Sequence, residues 1–334
     1  MNKPIQIVMT PTRNEAWCLQ AFLEATSQWA DYLIIADQMS TDRTRDIIDD
    51  YAKRNAQAGI CEIILIDNKN PDFNEAERQS MLVAKAREVA AGRDTLLWGL
   101  DADEILAANF RQTEDWNHIM NSKPGDVFWF KWAEICPNKQ EYWLSPSIYF
   151  PWLFHDDGKE PHGNYVRNMH SMRIPYPIEE KQMYYVDDFR VLHLAYLNIH
   201  RVESKRRFYQ FVDWEMNHRS PITLSRSYTQ TERTKLVKPI TNDMLYKDFD
   251  CFGLVDTEVT KCYMDEYIVD RLNRHKSKQT RKLDIWNEHF CETYNLADPR
   301  TIVDKMIHSW LHSTNIHKNN YWVRTIDMVL KLLY

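Results

Sequence analysis

Glycine is scarce in this chain, with seven in 334 residues, where an ordinary protein has roughly 7%. None of the seven falls into GxxxxGK[ST] or GxGxxG. Phosphate cradles built from glycine-rich backbone are therefore excluded in their common forms. The six cysteines (Cys18, Cys61, Cys136, Cys251, Cys262 and Cys291) form no CxxC and no regular spacing. This argues against a disulfide framework or zinc knuckle and fits a reducing cytoplasm. No apolar run approaches the roughly 18 to 20 residues that cross a bilayer, and the N-terminus lacks a basic segment followed by an apolar stretch. The expectation is a cytoplasmic protein, neither spanning nor exported.

Charge of one sign is also missing. The net charge is −6; residues 1–200 hold 20 Lys+Arg against 30 Asp+Glu, and residues 201–334 hold 22 against 18. A dedicated nucleic-acid binder would show a dominant basic footprint, so no nucleic-acid partner is expected, while the C-terminal part suits an anionic partner. With 44% hydrophobic and 27% charged residues, the chain is too apolar for disorder and long enough for one large domain with an appendage.

What is present begins with four short apolar runs, at 5–9, 33–36, 62–66 and 95–100, which read as buried strands. Helical patterns separate them at about 15–28, 42–55 and 75–91. The third is opened by Asn74 with Glu77 three residues on and closed by Gly92. Ser40, Thr41 and Asp42 are natural caps for the second. Alternation of strand and helix predicts a mostly parallel α/β sheet. Further on, 126–136 and 184–197 read as strands around an aromatic, proline-punctuated insert at 137–183. From about 200 the chain reads helical, with basic helices near 201–217 and 258–276, a polar stretch at 219–243 and a terminal helix near 319–334. The expected organisation is an α/β domain over 1–200, in two halves at 1–110 and 111–200, followed by a helical extension at 201–334.

In parallel sheets ligands sit outside the carboxyl ends of the strands. Those ends read Thr10-Pro11-Thr12-Arg13-Asn14-Glu15, then Asp37, then Asp67, then Asp101-Ala102-Asp103-Glu104. Carboxylates collect at one edge. In extended chain the side chains of Asp101 and Asp103 would project to one side about 6.6 Å apart, and two unpaired carboxylates there call for a cation such as Mg2+ or Mn2+. His193, in the apolar run 191–196, is either a core residue or a further ligand.

These segments together, Ile7 to Glu15, Ile34 to Thr44, Arg78 and Leu100 to Glu104, resemble in order and spacing the family 2 glycosyltransferases, whose fold is the GT-A nucleotide-sugar-binding fold. The resemblance covers roughly residues 4–110. It implies that Thr10 and Pro11 with nearby backbone hold the nucleoside, that Asp37 accepts hydrogen bonds from the base, and that Arg78 approaches the base or phosphates. Asp101 would meet ribose or sugar, and Asp103 the metal bridging the phosphates. Arg13 and Glu15 match the family's first loop, and His193 completes the metal or phosphate shell in some relatives. Family 2 members invert the anomeric centre, which needs an acceptor-side base; the candidates are Asp187, Asp188, Glu179 and Glu180.

The implied activity is transfer of a sugar from a nucleotide-diphosphate donor to a saccharide or lipid-linked acceptor in bacterial surface-polysaccharide or lipopolysaccharide assembly. His170 is a further candidate for acceptor contact, and Arg201, Lys205, Arg206 and Arg207 for neutralising the diphosphate. The aromatic, amphipathic segment 321–334 suits a membrane surface, at the inner face of the cytoplasmic membrane, as well as packing on the protein body. Two rival readings remain. A sugar-nucleotide pyrophosphorylase would normally place glycines after the first strand, and a non-catalytic nucleotide-sugar-binding module would transfer nothing.

Overall fold

The structure is a computed structural model and describes residues 3–59, 61–159, 170–175, 183–229, 236–275 and 277–334. They form two compact units: residues 1–197 with 236–257, and residues 198–235 with 258–334.

In the first unit the strands are β1 (Ile5–Thr12), β2 (Tyr32–Asp37), β3 (Glu62–Asp67), β4 (Thr95–Gly99), β5 (Glu104–Leu106), β6 (Val127–Phe130), β7 (Trp132–Ile135), β8 (Glu141–Leu144), β9 (Phe150–His155), β10 (Met183–Tyr185), β11 (Val191–His193) and β12 (Leu236–Pro239). Its helices are α1 (Leu19–Thr26), α2 (Thr44–Ala58), α3 (Glu75–Ala90) and α4 (Glu114–Met120). A seven-stranded sheet runs β10-β6-β9-β4-β1-β2-β3, and a five-stranded sheet runs β12-β8-β7-β11-β5. In the larger sheet β4, β1, β2 and β3 are mutually parallel and only β9 runs against its neighbours. The expected α/β class with a mostly parallel sheet is therefore the one observed. Its core is mostly aliphatic: Ile7, Met9, Ile34 and Leu97 from the strands, with the aromatic Phe154, meet Leu82, Val83 and Ala86 of α3, the i, i+1, i+4 face that a helix offers a sheet.

Several expectations are corrected. The run 126–136 is two strands, not one, because the chain changes sheet at Lys131. The stretch 184–197 divides into β10, β11 and a 3-10 turn at Ala195–Leu197. The insert 137–183 supplies β8 and β9, the latter seated between β4 and β6. α2 begins at Thr44 without a side-chain cap from Ser40 or Thr41. Those two hydroxyl residues are drawn to Asn14 instead: Ser40 Oγ accepts from the Asn14 amide at 2.8 Å, and Asn14 Oδ1 accepts from the Thr41 amide at 2.7 Å.

The second unit is helical: α5 (Ile199–Asn217), α6 (Pro221–Tyr228), α7 (Tyr263–Leu272), α8 (Ser277–Thr280), α9 (Glu288–Thr293), α10 (Ile302–Thr314) and α11 (Tyr321–Leu333). The polar stretch 219–243 holds α6, started by a Ser220 cap with Pro221 in the first turn; that pattern was readable from sequence. Among the described residues no helix is long and apolar enough to cross a membrane.

Candidate functional site

β4 is buried throughout and delivers Asp101 to the carboxyl edge of the parallel strands. Asp101-Ala102-Asp103 is a tight turn and not extended chain, because the Glu104 amide donates to the Asp101 carbonyl at 3.0 Å. The turn sends the carboxylates to different partners. Asp101 Oδ2 accepts from Arg173 at 2.5 Å, and Asp103 Oδ2 lies 3.4 Å from His193 Nε2. The pairing of β5 with β11 sets His193 opposite Glu104, and the Leu194 amide donates to the Asp103 carbonyl at 2.8 Å. Asp103, Glu104 and His193 are all buried, with one ligand-capable atom from each within 4.8 Å of the others.

Glu104 is fully occupied by structure. One carboxylate oxygen accepts from the Trp132 indole at 2.7 Å, and the other accepts from the Asp101 amide at 3.0 Å and Arg173 at 2.5 Å. Burial raises its carboxyl above the ordinary value, with the Arg173 charge opposing. For Arg173 burial disfavours the charge, yet Asp101 and Glu104 outweigh it and hold the guanidinium firmly protonated. The close approach of Arg173 depends on Gly99, where a Cβ would fall 2.6 Å from Arg173 Cβ and 2.8 Å from its carbonyl oxygen. Trp132 also stacks on the His193 ring, with centroids 4.5 Å apart and planes at 15°, so one indole orients both Glu104 and the imidazole. On β7 Glu134 lies in register beside His193 and is buried. Trp132, Arg173 and Glu134 were not anticipated from sequence. The alternation Trp132-x-Glu134 in a strand was the available signal for one face, and Arg173 had none.

Along the same edge Thr12, Asp37 and Asp67 stand in register on β1, β2 and β3. The Asp37 carboxylate accepts from Thr12 Oγ1 at 3.1 Å and Ser40 Oγ at 2.6 Å, and Arg45 spans from Asp37 (3.7 Å) to Asp67 (2.5 Å). Asp37 thus ties down the loop after β2. Thr10 and Pro11 are buried on β1, and Thr10 Oγ1 has no hydrogen-bond partner among the described residues. Glu15 Oε2 accepts from the Trp17 indole at 2.7 Å and its amide donates to Thr44 Oγ1 at 2.8 Å. Arg13 reaches the Pro71 carbonyl at 3.4 Å. Arg78 is half-buried in the first turn of α3, with Nε unpartnered among the described residues.

The candidate bases fare differently. Asp187 and Asp188 are exposed and lie before the start of β11, which pairs with Leu106, whereas His193 ends that strand opposite Glu104. Asp188 accepts from the Asp115 amide at 3.2 Å, and both aspartate amides donate to the Asp115 carboxylate, at 2.7 and 2.8 Å. Asp187 also binds Lys131 at 3.0 Å and Tyr149 at 2.8 Å, and these contacts hold its carboxyl below the ordinary value against partial burial. Both are fixed to the start of α4 and are not gathered with the cluster of Asp103, Glu104 and His193. Glu179 and Glu180 lie outside the described residues. His170 is exposed, in a left-handed conformation. Arg207 is engaged inside the second unit by Asp265 at 2.7 and 2.8 Å.

No family model and no curated protein matches the chain. Solved structures do. TarS of S. aureus aligns with 97% of this chain and 55% of its own, at 11% identity and a TM-score of 0.38. A mannosyltransferase, PcManGT from Pyrobaculum calidifontis in complex with GDP-Man and Mn2+, aligns over 62% of each chain at 14% identity and 0.38. GalNAc-T7 with UDP, GalNAc and Mn2+ aligns over 82% of this chain and 58% of its own at 12% identity and 0.40. This chain therefore spans less than two thirds of the length of each of these neighbours. At such identities and scores function has to be read from the site's own residues.

Proposed function

We propose that the protein is a metal-dependent, inverting glycosyltransferase of the GT-A class, using a nucleotide-diphosphate sugar and a saccharide or lipid-linked acceptor in surface-polysaccharide assembly. The observation that carries the reading is the meeting of Asp103 with His193, buried, at the carboxyl end of a parallel strand and beside Asp101. One carboxylate oxygen and one imidazole nitrogen fit a divalent cation and leave positions for phosphate oxygens, and the nitrogen donor favours Mn2+ over Mg2+. When bound, the ion would neutralise the diphosphate leaving group.

The remaining work belongs to the chain. Glu104 is committed to Trp132, Arg173 and the Asp101 amide, so it buttresses the turn. Asp101 gives one oxygen to Arg173 and keeps the other for a ribose or sugar hydroxyl. Thr10, Pro11, Arg13, Glu15, Asp37 and Arg78 shape the nucleoside side of the edge, the unpartnered Thr10 hydroxyl and Arg78 Nε being groups a nucleotide could satisfy. Glu134, in register with His193, is the carboxylate we assign as acceptor-side base in place of Asp187 and Asp188. Residues 1–110 supply the donor half and 111–200 the acceptor half in this reading.

Calorimetry with nucleoside diphosphates, with and without Mn2+, tests it. Binding should require metal and vanish in Asp103→Ala, and a nucleotide-sugar panel should release free diphosphate. Metal-independent binding that survives the substitution would remove the donor site.

A further inference from the structure

Exposed apolar surface in this molecule is concentrated in one place. Of twenty exposed large hydrophobic side chains among the described residues, eleven fall between Ile302 and Leu333, in the helical hairpin of α10 and α11, both of which pack on α6. The end of α11 returns to α10 at Tyr334, whose hydroxyl lies 3.5 Å from His308 Nε2. On α11 the inward face is narrow. Val323 and Asp327 are buried and Leu330 is half-buried, at the i, i+4, i+7 spacing of one helix stripe. Wound at 100° per residue, Met328, Tyr321, Leu332, Val329, Trp322 and Leu333 fill a continuous arc on the other side. Their exposures run from 46% for Val329 to 82% for Leu332.

Charge tells what covers such an arc. Between Thr301 and Tyr334 there are two carboxylates and four Lys/Arg side chains. Both carboxylates are turned inward and paired, Asp304 with Arg281 and Asp327 with Arg226. Lys318, Arg324 and Lys331 are exposed, and Lys305 is exposed but paired with Asp298 at 3.2 Å. Arg324 and Lys331 flank the α11 arc on one edge, so the surface offered to solvent is apolar and basic, without an exposed acid. A second copy docked on this face would bring like charges together. An anionic bilayer surface satisfies both properties, with Tyr321 and Trp322 as interfacial aromatics at one end of the helix. The whole second unit leans the same way, with 20 Lys+Arg against 14 Asp+Glu.

We propose that the α10–α11 hairpin is a peripheral membrane-docking face, in which α11 lies in the interface of an anionic lipid surface. This partner is independent of the donor-site reading.

The test uses the full chain in flotation with vesicles of phosphatidylcholine alone, or with a minority of phosphatidylglycerol. The anionic vesicles should capture the protein, and salt should weaken capture. Arg324→Glu and Lys331→Glu should each lower partition by about fivefold or more, and Trp322→Glu with Leu332→Glu should abolish it. All four side chains are exposed, so melting should be unchanged, and Arg324→Glu alone suffices if the double variant fails to fold. Equal capture of wild type and variants, or no capture by anionic vesicles, overturns the proposal. So does light scattering that shows a dimer dissociated by the same substitutions. Metal-dependent nucleotide binding, measured on these variants by calorimetry, should persist, which separates this proposal from the fate of the donor site.

Discussion

The two units handle buried carboxylates in opposite ways. In the helical unit, Asp213, Asp265, Asp304 and Asp327 are buried, and each has its own arginine: Arg219, Arg207, Arg281 and Arg226. In the sheet unit Asp101, Asp103 and Glu104 crowd together within one turn, with Arg173 shared between two of them and an imidazole facing the third. The balance of charge follows the same division, with 22 Lys+Arg against 34 Asp+Glu in the sheet unit and 20 against 14 in the helical one. One-to-one pairing neutralises a buried charge and fixes helices together. Gathering like charges raises the free energy of the empty site and is compensated when a cation arrives. Carboxylates in the first arrangement are architecture; in the second Glu104 is architecture too, and Asp101 and Asp103 are the ones we propose for chemistry.

Breaking a pair in the helical unit should give the largest effect. Arg226 holds Asp327 at 2.8 Å through two nitrogens and also donates to the Leu311 carbonyl and, at 2.8 Å, to Thr314, thereby tying α11 and α10 to α6. Arg226→Met leaves a buried carboxylate without its cation and should cost about 3–5 kcal/mol, read by denaturant unfolding, while nucleotide affinity per folded molecule is kept.

The sheet unit should show the reverse. Glu134→Gln should lower turnover by about a hundredfold, on the scale of losing a general base, and His193→Ala by tenfold or more, with little change in the metal-free melting point. A large loss of melting temperature with normal turnover would place both residues among the architecture. Asp37 is the intermediate case, since it lies on the ligand edge but is already bonded by Thr12 and Ser40. Asp37→Ala should cost about 1–3 kcal/mol of stability through those stranded donors and weaken nucleotide binding too. Unchanged affinity in calorimetry would make it purely a loop anchor.

The contrast also explains what the sequence made legible. The runs at 5–9, 33–36 and 95–100 became β1, β2 and β4 because strands buried on both faces are continuous apolar stretches, whereas 62–66, also expected to be buried, became the edge strand β3 and is only half-covered. The residues that follow them reached one edge because parallel strands share a direction. Asp103 stood out in the sequence for that reason, and His193 for its place in the apolar run 191–196 and the family resemblance. Arg173 did not, because it comes from a segment some seventy residues beyond Asp101, and nothing local marks a residue whose role is set by a distant gap at Gly99. The proposed change of base has a related origin. Asp187 and Asp188 stand near His193 in sequence, but β11 carries them to its far end, while Glu134 arrives from a neighbouring strand.

The smallest effect concerns a pair in the helical unit that is only partly sheltered. His312 bonds Asp284 closely, and this raises its pKa above the ordinary histidine value despite some burial. Asp284, for its part, is held below the ordinary carboxylate value by that hydrogen bond and the nearby histidines, against the burial that would raise it. A histidine with a raised folded pKa contributes stability that is complete below its unfolded value, near 6.5, and fades as pH climbs through the folded pKa. An aspartate with a depressed pKa contributes above its unfolded value and is lost as pH falls through the folded one. The pair therefore stabilises the folded chain in a mildly acidic window bounded by these two titrations. His308, 3.8 Å from Asp284, opposes the trend, since burial lowers its pKa and the neighbouring His312 lowers it further. The gap in melting temperature between wild type and His312→Ala should be widest between the two titrations and narrow towards alkaline pH. The His312 side chain is 51% exposed, so solvent screening should keep the effect below about 1 kcal/mol. A gap that stays flat or widens with rising pH would show that His312 contributes through packing or a neutral hydrogen bond, and the one-to-one ionic rule would then hold only for the buried arginine pairs.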